Sequence, residues 1–356
     1  MVTPDVSKPL LISEHSGHMF PTKAYDTWQK RQEHALRHAR VLDAVMADDE
    51  HVGCFGWCMF DYPTHKDFGS GDRVCYHGVM DAFRNPKLAA AVYASQGDQR
   101  PVLVAGSNMD IGDNPGGSVG EIHVFTNAET VSLDKNGNFV TRLSRGAWKA
   151  LPHGPLVMDD IVGCLLETQE GYDEKKADLV KECLLTIQKK GMEGMNPAEM
   201  AKMAYTMVKY GMKYEDANAL YGKYIGNWGG EATKWRLDAE TDGEVVASVT
   251  YCPSAKLHLE VTPSHTELRE GDTYDMAAVR VRVLDEYGNI APYAQLPVVF
   301  TLEGCAELVG PAVAAAEGGM TGTYVKTTGN TGEAKLTVTT AQTEPVTVVF
   351  QIRNKE

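Results

Sequence analysis

Leu10-Leu11-Ile12-Ser13-Glu14-His15-Ser16-Gly17-His18 is the stretch whose reading decides the fold. Leu10 to Ser13 read as a short buried strand, because a continuous apolar run broken by a polar cluster fits a parallel strand covered on both faces. Glu14 stands where that strand ends, and Gly17 opens the loop behind it. The carboxyl end of a buried parallel strand is where α/β barrels carry chemically active groups. A carboxylate there is dehydrated, so it persists only where a neighbour compensates or uses its charge. Taken alone, Glu14 also reads as a capping or salt-bridging side chain at a strand end.

Outward from this stretch, Pro21 and Thr22 precede a helix spaced from about Ala24 to Ala47. Trp28, Gln32, Ala35, Leu36, Ala39, Leu42 and Met46 recur at intervals of three and four and share one buried stripe. The opposite face carries Lys30, Arg31, Glu33, Arg37 and Arg40. His34 and His38, four apart, have the spacing of a metal pair, but without a third ligand they read as solvated helix histidines. After the polar turn Asp48-Asp49-Glu50, Val52 to Phe60 form a second buried strand. Pro63 to Asp72 form a Gly-rich loop, and residues 79–95, with Met80, Phe83, Leu88, Ala91 and Val92, read as a closing helix. Strand, helix, strand, helix is the repeat of a parallel α/β barrel. Eight strands close such a barrel and two are read here, so six are expected upstream of Met1.

Gly97 to Pro101 mark a boundary, after which the hydrophobic period changes. Val102 to Val104, Glu121 to Thr126 and Val131 to Val140 read as antiparallel strands, with Asn136-Gly137 placed for a tight hairpin turn. From about 158 to 228 the pattern is helical, and Asn196-Pro197 supply a cap and a first-turn proline. Met200, Met203 and Met207 on that helix read as a core seam. Trp235 to Tyr251 return to strand, so the helices are expected as an insertion in a β-sandwich. Beyond Ala255, alternation at 257–261, 279–283, 298–302, 334–339 and 346–352 indicates an immunoglobulin-like sandwich. The expected fold is multidomain: a partial (β/α)8 barrel over 1–96, a β-sandwich with a helical insertion over 97–253, and an immunoglobulin-like β-sandwich over 254–356.

Composition narrows the function classes. The chain has 356 residues, 43% hydrophobic, enough for two or three cored domains. A formal charge of −14 argues against nucleic acid or anionic membranes as partners. No apolar run is long enough to span a bilayer. Seven scattered cysteines suit reduced thiols in a cytoplasmic protein, and Cys54 and Cys58 lack metal-knuckle spacing. No cofactor and no metal are expected.

The block from Ser13-Glu14-His15-Ser16-Gly17-His18-Met19-Phe20-Pro21-Thr22-Lys23 through Gly56-Trp57-Cys58-Met59-Phe60-Asp61-Tyr62 to Phe68-Gly69-Ser70-Gly71-Asp72-Arg73 and Tyr76-His77-Gly78-Val79-Met80-Asp81 resembles the end of the catalytic barrel of family 2 beta-galactosidases. The resemblance continues through Arg269-Glu270-Gly271-Asp272-Thr273-Tyr274 and Asp285-Glu286-Tyr287-Gly288-Asn289. It implies that Glu14 is the nucleophile, on the seventh barrel strand. It also implies that Trp57, on the eighth, lies against the sugar, with His18 and Asp61 assigned to substrate binding. At one position the chain departs from the family: His15 follows the nucleophile where Tyr is usual.

Retaining glycosidases use two carboxyl groups about 5–5.5 Å apart, one attacking the anomeric carbon and one moving protons. The family's acid/base is a Glu after Asn, and no Asn-Glu pair occurs in this sequence. The expected function is therefore retaining hydrolysis of terminal beta-D-galactosides through Glu14, by a chain that lacks its acid/base Glu. Its partners would be a beta-galactoside and either an upstream barrel fragment or further copies of itself. The alternatives are a noncatalytic accessory protein that binds carbohydrate or a partner subunit, and beta-glucuronidase or beta-mannosidase specificity.

Overall fold

A computed structural model describes residues 7–17, 20–114, 117–226 and 231–354. Strand β1 (Leu10–His15), helix α1 (Trp28–Met46) and strand β2 (His51–Gly56) form a β-α-β unit whose strands pair in parallel. The register sets Leu10 beside His51 and His15 beside Gly56. Thr27 caps α1, accepting a hydrogen bond from the Lys30 N–H. The helix starts later than its apolar spacing suggests because Lys23 and Asp26 close a local turn first, the Asp26 carboxylate accepting from the Lys23 N–H at 2.7 Å.

The two strands are covered on one side only, contrary to the sequence reading. Leu11 is exposed, and Val52 and Phe55 are 64% and 62% exposed. Trp28, Ala35, Leu36 and Ala39 of α1 are buried, whereas Met46 at the end of the expected stripe is exposed. His34 and His38 are buried rather than solvated. A 3.6-residue period widens the covered face of a helix to about 100°, and these two histidines fall inside it.

A short hairpin follows, β3 (Tyr62–Pro63) on β4 (Val74–Cys75). The closing helix is much shorter than expected: α2 spans Leu88–Ala94. Residues 79–87 are extended or turned instead. Val79 and Met80 donate backbone hydrogen bonds to Cys58 and Met59, and the Asp81 carboxylate accepts from the N–H groups of Phe83 and Asn85. Asp81 thus captures donors a helix would need, and Pro86 disfavours helical geometry at Asn85.

The chain divides into two compact units, residues 1–90 with 254–356 and residues 91–253. In the second unit two four-stranded antiparallel sheets make the sandwich. One runs β5 (Leu103–Ala105), β6 (Ile122–Thr126), β10 (Leu156–Met158), β9 (Ser144–Arg145), and the other β12 (Glu244–Tyr251), β11 (Trp235–Thr241), β7 (Thr130–Lys135), β8 (Asn138–Arg142). Ile122, Val124, Leu133, Leu156, Met158 and Leu237 are fully buried. Helices α3 (Leu165–Thr168), α4 (Glu174–Lys190), α5 (Pro197–Tyr210) and α6 (Tyr214–Tyr221) join β10 of one sheet to β11 of the other. Asn196 and Glu199 form a reciprocal capping box on α5. The methionines of α5 are no core seam: Met200 is half exposed, and Thr206 is the buried residue of that helix.

The carboxyl-terminal sandwich belongs to the first unit. Its sheets run β13 (Leu257–Pro263), β15 (Met276–Asp285), β19 (Met320–Thr327), β17 (Ala306–Val309) and β14 (Glu267–Glu270), β21 (Thr343–Asn354), β20 (Gly332–Thr340), β16 (Pro297–Gly304), β18 (Val313–Ala315). Val279, Val281, Phe300, Leu336 and Phe350 anchor the core between them. No helix among the described residues is long and apolar enough to cross a membrane.

Candidate active site

Glu14 is the fifth residue of β1 and is exposed at its carboxyl end. Its carboxylate folds back over Gly17: a Cβ on that glycine would lie 2.7 Å from Glu14 Oε1 and 3.9 Å from Trp57 Cβ. Any larger residue at 17 would therefore displace the carboxylate. Glu14 and Trp57 thus both border the space beside Gly17. The Trp57 N–H donates to the His15 carbonyl at 2.7 Å, extending the parallel pairing past the end of β2.

The Trp57 ring is 39% exposed, so it is not buried core. It meets the Tyr62 ring in a T-shaped contact, at 6.2 Å between centroids and an interplanar angle of 85°. Tyr62 shares hydrogen bonds with Cys75 and Trp57, and its phenol is held above the usual range, chiefly by the Cys75 contact. Sequence reasoning missed Tyr62, although its position directly after the Asp61 strand end was a usable signal.

His15 points away from Glu14's exposed side. Its Nδ1 is 2.8 Å from Ser16 Oγ, and its ring meets His38 edge-on at 5.7 Å. His38 in turn meets His34 at 5.1 Å, and Phe20 stacks on His34. Burial pushes all three imidazoles down, His34 to about 3 and His38 to about 4, so they are neutral rings filling the space between β1 and α1. The residue that departs from the family pattern thus packs against α1.

Asp61 is buried and hydrogen-bonded within the protein. Lys87 Nζ lies 2.7 Å from its Oδ1, and the Gly78 N–H donates to the same oxygen at 2.9 Å. Lys87 also donates to the Thr22 carbonyl. Burial raises the Asp61 carboxyl to about 6 and lowers the Lys87 ammonium, each charge holding the other in place. Asp61 therefore acts here as a tie between residues 22, 61, 78 and 87. Nothing in the sequence around Lys87 marked it as the partner. His18 lies outside the described residues.

Residues 259–349 match the glycoside hydrolase family 2 C-terminal domain 5. Over 316 residues the chain is 33% identical to a beta-galactosidase of Thermoanaerobacterium thermosulfurigenes, covering 87% of this chain and 36% of that protein. It is 32% identical over 124 residues to a beta-galactosidase of Rhizobium radiobacter, covering 32% of this chain and 83% of that protein. The chain belongs to glycoside hydrolase family 2. Among solved structures, this family 2 chain superposes on a family 2 beta-glucuronidase with a TM-score of 0.57 at 15% identity, over 97% of this chain and 32% of that one. A beta-glycosidase of Bacteroides vulgatus gives a TM-score of 0.55 at 13% identity, over 88% and 32%. These two matches concern the fold. The family 2 chain spans about a third of the length of the longer beta-galactosidases it matches.

Proposed function

We propose that this chain carries the nucleophile half of a retaining beta-galactosidase. The observation behind this reading is the Glu14 carboxylate, exposed at the carboxyl end of a parallel strand and sharing Gly17 as a neighbour with the half-open ring of Trp57. In this reading β1 and β2 are two adjacent strands of a (β/α)8 barrel, and their exposed apolar side faces the remaining barrel. Galactoside specificity is supported by the relatives named beta-galactosidase. Free cysteines throughout the described residues suit a reducing, cytoplasmic setting.

The chemistry follows from the two side chains. The apolar C–H face of the galactose lies on the Trp57 indole, which sets the anomeric carbon over Glu14. A Glu14 oxygen forms a bond to that carbon as the glycosidic bond breaks, giving a covalent glycosyl-enzyme with inverted configuration. Water then displaces Glu14, restoring the original configuration. The proton delivered to the leaving oxygen comes from a second carboxyl group that we place in polypeptide outside these 356 residues.

A 2-deoxy-2-fluoro galactosyl donor is the direct test, applied to this chain assembled with the remaining barrel. It is expected to label Glu14, and Glu14→Gln is expected to lower turnover by several orders of magnitude without unfolding the protein. Labelling of a different carboxylate rejects the assignment.

A further inference from the structure

The carboxyl-terminal sandwich touches the segment that supports Trp57. Asn85 is fully buried, and its Nδ2 donates to both the Asp81 carboxylate and the Thr321 carbonyl of β19, each at 2.9 Å. Three residues further along that strand, the Tyr324 hydroxyl donates to the Ala82 carbonyl at 2.6 Å, and its ring lies 6.2 Å from Phe83. Gly322 makes room for this approach, since a Cβ there would meet Phe83 Cβ at 2.6 Å and the Val279 carbonyl at 2.5 Å.

From this joint the contacts run without a gap to Trp57. Asp81 Oδ1 accepts from the N–H groups of Phe83 and Asn85, fixing the turn. The Asp81 N–H donates to the Asn85 carbonyl. The preceding residues Val79 and Met80 donate to the carbonyls of Cys58 and Met59, the residues directly after Trp57, and the Asp61 N–H donates back to Met80. Asn85 at the start of this path is fully buried, where a lost partner costs more than the bond itself.

We propose that Asn85 is a positioning residue through which the carboxyl-terminal sandwich sets the orientation of Trp57. The sandwich is then a buttress of the site, in place of a separate sugar-binding module. This rests on the sugar-platform reading of Trp57 for its functional meaning, but its test contains no ligand.

The chain has five tryptophans, so incorporation of 5-fluorotryptophan gives a countable fluorine spectrum in which Trp57→Phe assigns one resonance. Asn85→Ala and Tyr324→Phe are expected to shift and broaden that resonance and leave the others in place. In the same variants the Val79 and Met80 amides should exchange roughly tenfold faster, the size expected from losing about one neutral hydrogen bond. Val338→Ala in the sandwich core supplies the comparison, because it lowers stability without touching the joint. Should Asn85→Ala fail to fold, Tyr324→Phe carries the test. An unmoved Trp57 resonance in a folded joint variant, or an equal displacement in Val338→Ala, overturns the proposal. A failed 2-fluoro labelling of Glu14 leaves either outcome intact.

Discussion

Asp61 and Lys87 are both almost completely buried, 2.7 Å apart. Removing the cation strands a buried carboxylate, and such a change costs about 3–5 kcal/mol. Lys87→Met should lower stability in urea by that amount, whereas Asp61→Leu with Lys87→Met should recover most of it. A single-variant loss below about 1 kcal/mol would contradict the tie described here. Trp57 calls for the opposite balance, since its ring is half open. In an active assembly Trp57→Ala should raise the transition-state barrier by about 0.5–1.5 kcal/mol through lost ring contact. If melting temperature falls and kinetic constants hold, Trp57 is packing and the platform reading fails.

Helix α1 carries a pH dependence in its packing. His34 and His38 are pushed down to about 3 and 4, chiefly by burial, and each resists protonation further once a neighbouring imidazole is charged, with Lys87 and Arg37 adding positive charge around His34. In the unfolded chain both return to an ordinary value near 6.5. Below that value the unfolded chain binds protons that the folded chain refuses, so stability falls with pH from about 6.5 to about 4. Asp61 works against this, since its raised carboxyl takes up a proton in the folded chain from about 6 downward. Two imidazoles outweigh one carboxyl. Urea titrations between pH 7 and 4.5 should show a declining midpoint, with a shallower decline in His38→Gln; an unchanged slope in that variant would refute the account. The β7–β8 hairpin gives a test at neutral pH. Asn136 and Gly137 have φ of 53° and 81°, the left-handed pair that a two-residue turn requires. Gly137→Ala should cost about 1–2 kcal/mol from the Cβ alone, read as a lower melting temperature.

At the scale of the whole chain, residues 7–90 and the carboxyl-terminal sandwich share one unit. Gly318 adds to the joint at residues 81–85, since a Cβ there would sit 2.6 Å from the Ala24 carbonyl. Hydrogen exchange should therefore show α1 and β19 losing protection together, separately from β6 and β11 of the second unit. Protection lost first and alone in residues 7–90 would mean that the sandwich folds independently of them. The open side of β1 and β2, with Leu11, Val52 and Phe55 exposed, is an apolar surface that water does not favour. If the acid/base carboxyl lies outside these residues, as proposed, the purified chain should leave nitrophenyl galactoside unhydrolysed, since loss of a proton donor is worth about 10²–10⁴-fold. Turnover abolished by Glu14→Gln would instead identify an acid/base carboxyl within these residues.

What the sequence determined by itself was local and periodic. The parallel strand-helix-strand unit, the Asn136-Gly137 turn, the α5 cap and five strands of the last sandwich were legible, because each depends on residues a few positions apart. So were Glu14 and Trp57 as candidates, through the motif around them. Strands β14, β17, β18 and β19 went unread, being short or, in β19, masked by Gly322 and small polar residues. Tertiary contacts decided the rest. The pairing of Asp61 depends on Lys87, 26 residues away, and on the burial that forces the two charges together. Whether His34 is wet or dry depends on Phe20 stacking on it and on His38 beside it. Whether residues 79–87 coil or extend depends on Asp81 finding nearer donors and on β19 closing over Asn85. A sequence pattern ranks the faces an element can bury, but only the assembled fold selects which of them loses its water.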